Sequence, residues 1–457
     1  MFVNRQKELE LLQDEYSIDE FRFSVIYGRR RVGKTTLIKE YISSKSYIYF
    51  LATLEPINII VARFKNLVAE FLDDGFLRDI ELKNFEEIFR YIAKQHFNKK
   101  LIIVIDEFQY LGKVDKSIPS QFQYIIDEIL KPTDIHLIFC GSIISMMYEQ
   151  TLSYNSPLYG RRTSSIKLNA LEFKYLQIFF PNKTEHELIE LYAILYGVPK
   201  YLELFKDSDD MFDAIEKNIL DKNAFLYDEP RFILQNEVNE PMTYFTILEA
   251  IANGEHKLGN IAGRLNKNVQ NITSFISKLI ELDIIYKEVP ITEQNPSKSK
   301  KGLYFIKDNF FRFWFAYVLP YKSQLEIDNT SYAMKKIKEN FAGFVAKVYE
   351  DLCVQYTLQN YPILKAGRWW NKNTEIDVVG VGEDFLITGE CKYSNKKVGI
   401  DILQNLEIKS QNIELKLPIR HYILFSKSGF TKELIELSHK REDVLLVDKI
   451  INGYNLP

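Results

Sequence analysis

Two groups of residues have the types and spacing for phosphate chemistry. The first centres on GRRRVGKT, residues 28 to 35, which satisfies the pattern G-x-x-x-x-G-K-[ST] throughout. Gly28 and Gly33 free the backbone to wrap a phosphate with inward N–H groups, with Arg29, Arg30, Arg31 and Val32 between them. Lys34 is expected to reach the β- and γ-phosphates of ATP. Thr35, with Thr36 behind it, offers a hydroxyl to Mg2+. In KKLIIVIDEFQYL an apolar run ends in Asp106, suited to the magnesium shell, and Glu107, suited to polarising the attacking water. Ser142 ends DIHLIFCGS, where a polar side chain can sense the γ-phosphate or simply cap the strand. Arg161 and Arg162, in PLYGRRTSSIKL, can stabilise transition-state charge in their own or a neighbouring subunit. A loop arginine pair is equally suited to solvent or to a phosphate backbone.

The second group lies in TEIDVVGVGEDFLITGECKY, residues 374 to 393. A strand's period of two puts Glu390 and Lys392 on one face and turns Cys391 into packing. Asp377 and Glu390 can bind Mg2+ or Mn2+, while Lys392 can orient water or stabilise charge on a scissile phosphodiester. The same trio also reads as a lysine-neutralised acidic pair on the edge of a hairpin.

Specific elements must position these groups. FRFSVIYGRRRVGKTTLIKEYI reads as strand, glycine-rich turn and helix, opening an ATPase core over residues 1–180. Residues 181–238 have the helical spacing of a lid. Over 239–308, three short helices, a strand, a polar turn and a second strand spell a winged helix-turn-helix. Its recognition helix would begin near Asn268 and present Asn268, Gln270, Asn271, Thr273 and Ser274. Lys267, Lys278, Lys287, Lys298, Lys300 and Lys301 could meet DNA phosphates. The module could equally serve as rigid packing inside an ATPase. Residues 309–334 form a connecting segment, whose aromatic run from Phe310 to Tyr321, broken in charge only by Arg312, reads as a buried helix. Residues 335–457 alternate helix and strand as an α/β domain with a mixed sheet, where Thr374–Val381 and Phe385–Lys392 pair as a hairpin.

The 457 residues are too many for one core, and 46% hydrophobic with 26% charged residues describes a globular multidomain α/β chain. Cys140, Cys353 and Cys391 lack paired metal spacing, which argues against structural zinc and suits a reducing, cytoplasmic setting. No apolar run reaches transmembrane length and the start lacks a secretory pattern, so no integral membrane association is expected. A net charge of -3 decides nothing about nucleic acid.

NRQKELELL, the phosphate loop, IDEFQYL, the CGS strand, the GRR loop and GVPKYL at 197 to 202 resemble the archaeal-type AAA+ ATPases, close to the STAND signalling NTPases. That resemblance implies a P-loop NTPase α/β sandwich, Asn4 and Arg5 near the adenine, and Gly197 to Tyr201 in the lid with Pro199 near the base. The terminal region is similar to DUF234 and to the PD-(D/E)xK nuclease superfamily. It has Ile376 and Asp377 at the proline-aspartate step and Glu390, Cys391 and Lys392 at the acid-x-lysine step. The resemblance implies a restriction-endonuclease-like domain and adds Glu350, in KVYEDLC, as an acidic metal ligand from the first helix. Ile376 in place of proline is a departure that leaves the charged trio intact. Together these features describe an ATP-hydrolysing switch that binds DNA and cleaves it. Two alternatives stand beside it: a DNA-binding regulator with a silent terminal domain, and a signalling or scaffold NTPase that binds protein partners. A homo-oligomer follows if the arginine acts in trans.

Overall fold

β1 (Arg22–Tyr27), β3 (Leu101–Asp106) and β4 (Ile135–Gly141) are apolar almost without interruption, which suits parallel strands covered on both faces. With the edge strands β2 (Tyr47–Leu51) and β5 (Ser164–Lys167) they form an all-parallel sheet ordered β2-β3-β4-β1-β5. Alternation sorts the side chains. Val25, Ile103, Ile105, Leu137 and Phe139 enter one core with Phe64, Phe89 and Phe122. Ile26, Ile102, Val104, Ile138 and Cys140 enter the other, against Leu37 and Ile38 of the helix Lys34–Ile42. The computed structural model describes residues 3–415 and 417–451.

The chain divides into two compact units, and the first comprises the residues up to Leu171 together with 198–200 and 235–239. That division falls nine residues before the boundary expected at residue 180. Residues 172–197 and 201–234, which carry most of the lid, cluster with the second unit.

One polar network crosses the first sheet. His136 on β4 bonds Ser24 Oγ through Nε2 at 2.7 Å and Tyr41 Oη through Nδ1 at 3.0 Å. Burial, reinforced by Lys100, Arg22 and Lys45, pushes the His136 pKa from 6.5 to about 3. The folded state therefore holds a neutral imidazole while the unfolded chain takes up a proton below pH 6.5. Stability present above that pH should be lost as pH falls toward 3, with a slope approaching about 1.4 kcal/mol per pH unit. Urea titrations on either side of pH 6.5 check this, and His136→Gln should flatten the dependence.

In the second unit the helix Glu185–Leu195 opens on a capping box between Thr184 and Glu187. The helices Pro241–Ala252, Leu258–Arg264 and Val269–Glu281 lead into an antiparallel hairpin of β6 (Ile285–Glu288) and β7 (Leu303–Ile306). The helix Asn309–Tyr317 buries Phe310, Phe311, Phe313, Trp314 and Phe315, with the Trp314 indole N–H on the Tyr227 carbonyl at 2.5 Å. A single 31-residue helix, Thr330–Asn360, follows. The expected boundary at 334/335 falls inside it, because no proline interrupts the helical spacing there.

The second sheet is ordered β12-β11-β10-β9-β8. β8 (Lys365–Trp370), β9 (Glu375–Val381) and β10 (Phe385–Lys392) run antiparallel. The helix Ile400–Ser410 then crosses to β11 (Ile419–Ser426), which pairs parallel with β10 and with β12 (Val444–Val447). Among the described residues no helix is long and apolar enough to cross a membrane.

Candidate functional site

Backbone geometry explains both glycines of the loop that follows β1. Gly28 stands at φ +151°, and a Cβ there would lie 2.3 Å from the Leu168 carbonyl oxygen. Gly33, at φ +97°, is the left-handed cap from which the helix Lys34–Ile42 starts. Gly28→Ala should therefore reshape the loop and weaken ATP binding by at least about tenfold, read by nucleotide titration.

Lys34 is 7% exposed and curls into the loop, donating to the carbonyls of Gly28 at 2.8 Å and Arg29 at 2.9 Å. Burial lowers its pKa, so a bound phosphate would supply a stronger partner than these carbonyls. Thr35 Oγ1 donates to Asp106 Oδ2 at 3.2 Å, which brings the two residues expected at magnesium together; Tyr49 also donates to Asp106. The exposed Thr36 follows on the first turn of the helix. Arg30 reaches the Tyr110 hydroxyl at 2.9 Å, and Arg31 has φ +71°. Arg5 is a clamp, donating to the carbonyls of Val32 at 3.1 Å and Asn169 at 2.7 Å, one residue after Asn4 at φ +45°. Pro199 begins the helix Pro199–Phe205 just after Gly197 at φ +92°, within the short segment that clusters with the first unit.

Glu107 stands at φ +55° where β3 ends, and Ser142 Oγ donates to its carboxylate at 2.7 and 3.0 Å. Ser142 thus holds the candidate base. Sequence reasoning missed two supporting groups, because both depend on tertiary packing. The Gln109 amide also donates to Glu107, and the Glu237 carboxylate accepts the N–H groups of Ile144 at 3.0 Å and Ser145 at 3.1 Å. The arginine pair separates. Arg161 is committed to Asp127 at 2.7 and 2.9 Å and to the Pro157 carbonyl at 2.7 Å, whereas Arg162 has a buried Nη1 without a hydrogen-bond partner.

In the second sheet the register pairs Gly389 with Val378, so Asp377 lies just beyond the paired stretch, across from the end of β10. The Cys391 N–H donates to Asp377 Oδ2 at 2.9 Å. Lys392 Nζ donates to Glu390 Oε1 at 2.8 Å, and Lys409, on the crossover helix, donates to Glu390 Oε2 at 3.0 Å. Lys409 carries no local sequence signal, since only the crossover brings it to the hairpin. Burial, then Glu390 and Glu350, raises the Asp377 pKa. Burial, then Asp351, Glu375 and Glu390, pushes Glu350 up to about 8. Burial opposes the charge on Lys392, but Glu390 holds its pKa above the usual value.

The expected metal set is not assembled. Among the described residues no group of three or more His, Cys, Asp or Glu side chains is placed to hold a metal ion. Glu350 is drawn instead to Lys347 at 2.9 Å and to Arg368 at 3.8 Å, while both Glu390 oxygens carry a lysine. Arg368 is 5% exposed and also binds Glu288 of β6 and lies 4.8 Å from the Phe305 ring centre, so the β6–β7 hairpin is fastened to β8. Lys287 is spent on the Ser299 carbonyl at 3.1 Å and Lys301 pairs with Glu293 at 2.6 Å. Lys267, Lys298 and Lys300 are exposed, as are Asn268, Gln270, Asn271, Thr273 and Ser274 on the third helix; Lys278 pairs with Glu281 at 2.8 Å.

Residues 2–205 match a family model described as an ATPase domain predominantly from Archaea, and residues 314–408 match DUF234, described from archaeal and bacterial proteins of unknown function. An uncharacterized protein of Methanocaldococcus jannaschii is 38% identical over 444 residues, covering 95% of this chain and 97% of that protein. The chain belongs to the archaeal-type P-loop ATPases that carry a DUF234 region. An ATP-binding protein of the same organism is 49% identical over 45 residues, 10% of this chain and 76% of that protein. A Walker-type ATPase of Pyrococcus abyssi shares the fold with a TM-score of 0.50 and 18% identity, over 69% of this chain and 96% of that one. As a member of this ATPase family, the chain binds and hydrolyses ATP.

Proposed function

We propose that ATP turnover in the first unit switches a second unit that binds DNA and cleaves it at the β9–β10 hairpin. The observation that carries this reading is the gathering of Asp377, Glu390, Lys392 and Lys409 at one end of that hairpin. Three antiparallel strands followed by a helical crossover to parallel strands support a restriction-endonuclease-like domain. Three helices and a two-stranded hairpin, with an exposed polar third helix, support a winged helix that meets DNA. Two carboxylates are a donor set suited to Mg2+ or Mn2+. Asp377 and Glu390 would hold such an ion, which would polarise the phosphodiester and its attacking water. Lys392 then orients the scissile phosphate.

In the first unit the reading gives Lys34 the phosphates, Thr35 and Asp106 the magnesium, and Glu107 the attacking water. Arg162, with its unpartnered nitrogen, meets transition-state charge better than the committed Arg161. If Arg162 acts in trans, the working form is a homo-oligomer.

The test is cleavage of labelled duplex, single-stranded and branched DNAs with Mg2+ or Mn2+, with and without ATP, beside Asp377→Ala. Cleavage that the substitution abolishes supports the reading. DNA-stimulated ATP hydrolysis without cleavage supports a regulator whose terminal domain is silent, an outcome favoured by the lysines on Glu390 and the diversion of Glu350 to Lys347. Absence of DNA binding at low salt, where phosphate contacts are strongest, overturns both and leaves a scaffold for protein partners.

A further inference from the structure

A cavity of about 560 Å3 opens within the second unit, and none of the hairpin trio lines it. Its size falls in the range of small-molecule sites. Four segments wall it: Tyr192 and Tyr196 at the end of the helix Glu185–Leu195, Tyr286 on β6, Lys307 and Asn309 around the start of the helix Asn309–Tyr317, and Asp351 with Gln355 on the helix Thr330–Asn360. The rings of Tyr192 and Tyr196 have centroids 5.8 Å apart at 40°, an aromatic wall wide enough for a planar group.

Asp351 is the polar feature that asks for a ligand. It is half-buried and has no hydrogen-bond or ion-pair partner among the described residues. Arg312 offsets its charge electrostatically but forms no hydrogen bond or ion pair with it, donating instead to the Phe344 carbonyl at 2.6 Å and lying 4.3 Å over the Phe344 ring. A partly desolvated carboxylate without a donor is costly, and an incoming donor relieves that cost. An anionic ligand is poorly matched, because the lining cations are engaged. Lys307 pairs with Asp283 at 2.7 Å and Lys287 donates to the Ser299 carbonyl at 3.1 Å.

We propose that this cavity is an effector site for a small planar organic cation, an amine or amidinium that donates to Asp351 while its flat body lies against Tyr192 and Tyr196. Because the walls come from four sequence segments, occupancy fixes their spacing, which is how such a ligand would modulate the protein. The proposal stands independently of DNA cleavage.

The probes are benzamidine and tryptamine, with benzoate as the charge-reversed control, titrated into the full chain by calorimetry. At least one cation should bind saturably, benzoate should not, and Asp351→Asn should weaken the cation by at least about tenfold. Gln355→Trp, an exposed change at the rim, should block the cavity while leaving Asp351 in place, so the test survives if Asp351→Asn fails to fold. Circular dichroism and ATP turnover report whether each variant is intact. No saturable binding by either cation at millimolar concentration, equal binding of benzoate, or cation affinity unchanged in folded variants overturns the proposal.

Discussion

Glu107→Gln should lower ATP turnover by about two to three orders of magnitude while leaving ATP affinity intact. The substitution keeps the side chain's shape and its bonds to Ser142 and Gln109 within reach, but removes the charge proposed to polarise water. The position is demanding. Glu107 follows the last residue of β3 at φ +55°, a left-handed conformation that costs a non-glycine residue energy, and its N–H is held by Asp106 Oδ1 at 2.9 Å. Strain concentrated beside a loop that binds phosphate is consistent with a working carboxylate. Phosphate release measures turnover, and displacement of a fluorescent ATP analogue measures affinity. Wild-type turnover in Glu107→Gln would remove the residue from the mechanism. Ser142→Ala should give a smaller loss, because it loosens the carboxylate without discharging it.

The first site was legible because its chemistry is local. Glycines at fixed offsets, a lysine and a threonine at a helix start, and an acidic pair after an apolar strand each declare themselves within a dozen residues. Partners that reach the site through packing do not. Glu237 lies 95 positions after Ser142, yet it accepts the N–H groups of the second and third residues after that serine, Ile144 and Ser145. No spacing rule connects them. Helical spacing over residues 185–205 likewise does not say which core a helix joins, and most of these residues cluster with the second unit. The hairpin of β9 and β10 was readable from its alternation and turn, and so were the shared face of Glu390 and Lys392 and the inward Cys391. Glu350 was named by resemblance, and its sequence position could not reveal that Lys347, one helical turn earlier, and Arg368, on β8, would compete for it.

If the second unit cuts DNA, Lys392→Ala should reduce cleavage by at least about a hundredfold and leave ATP turnover unchanged. Lys392 extends from the end of β10 and is 36% exposed, so its ammonium is both fixed by Glu390 and open to a phosphate. Lys409→Ala should behave differently. Lys409 occupies the second Glu390 oxygen at 3.0 Å from the end of the crossover helix, so removing it clears a ligand position for a cation without touching the strand. Mn2+ should then bind Lys409→Ala more tightly than wild type, as read by paramagnetic resonance titration, with cleavage maintained or raised at limiting metal. The two lysines thus separate by role, one meeting substrate and one guarding the carboxylate. Equal loss of cleavage in both variants would mean that they act as one phosphate-binding pair. Wild-type cleavage in Lys392→Ala would place the chemistry elsewhere in the chain.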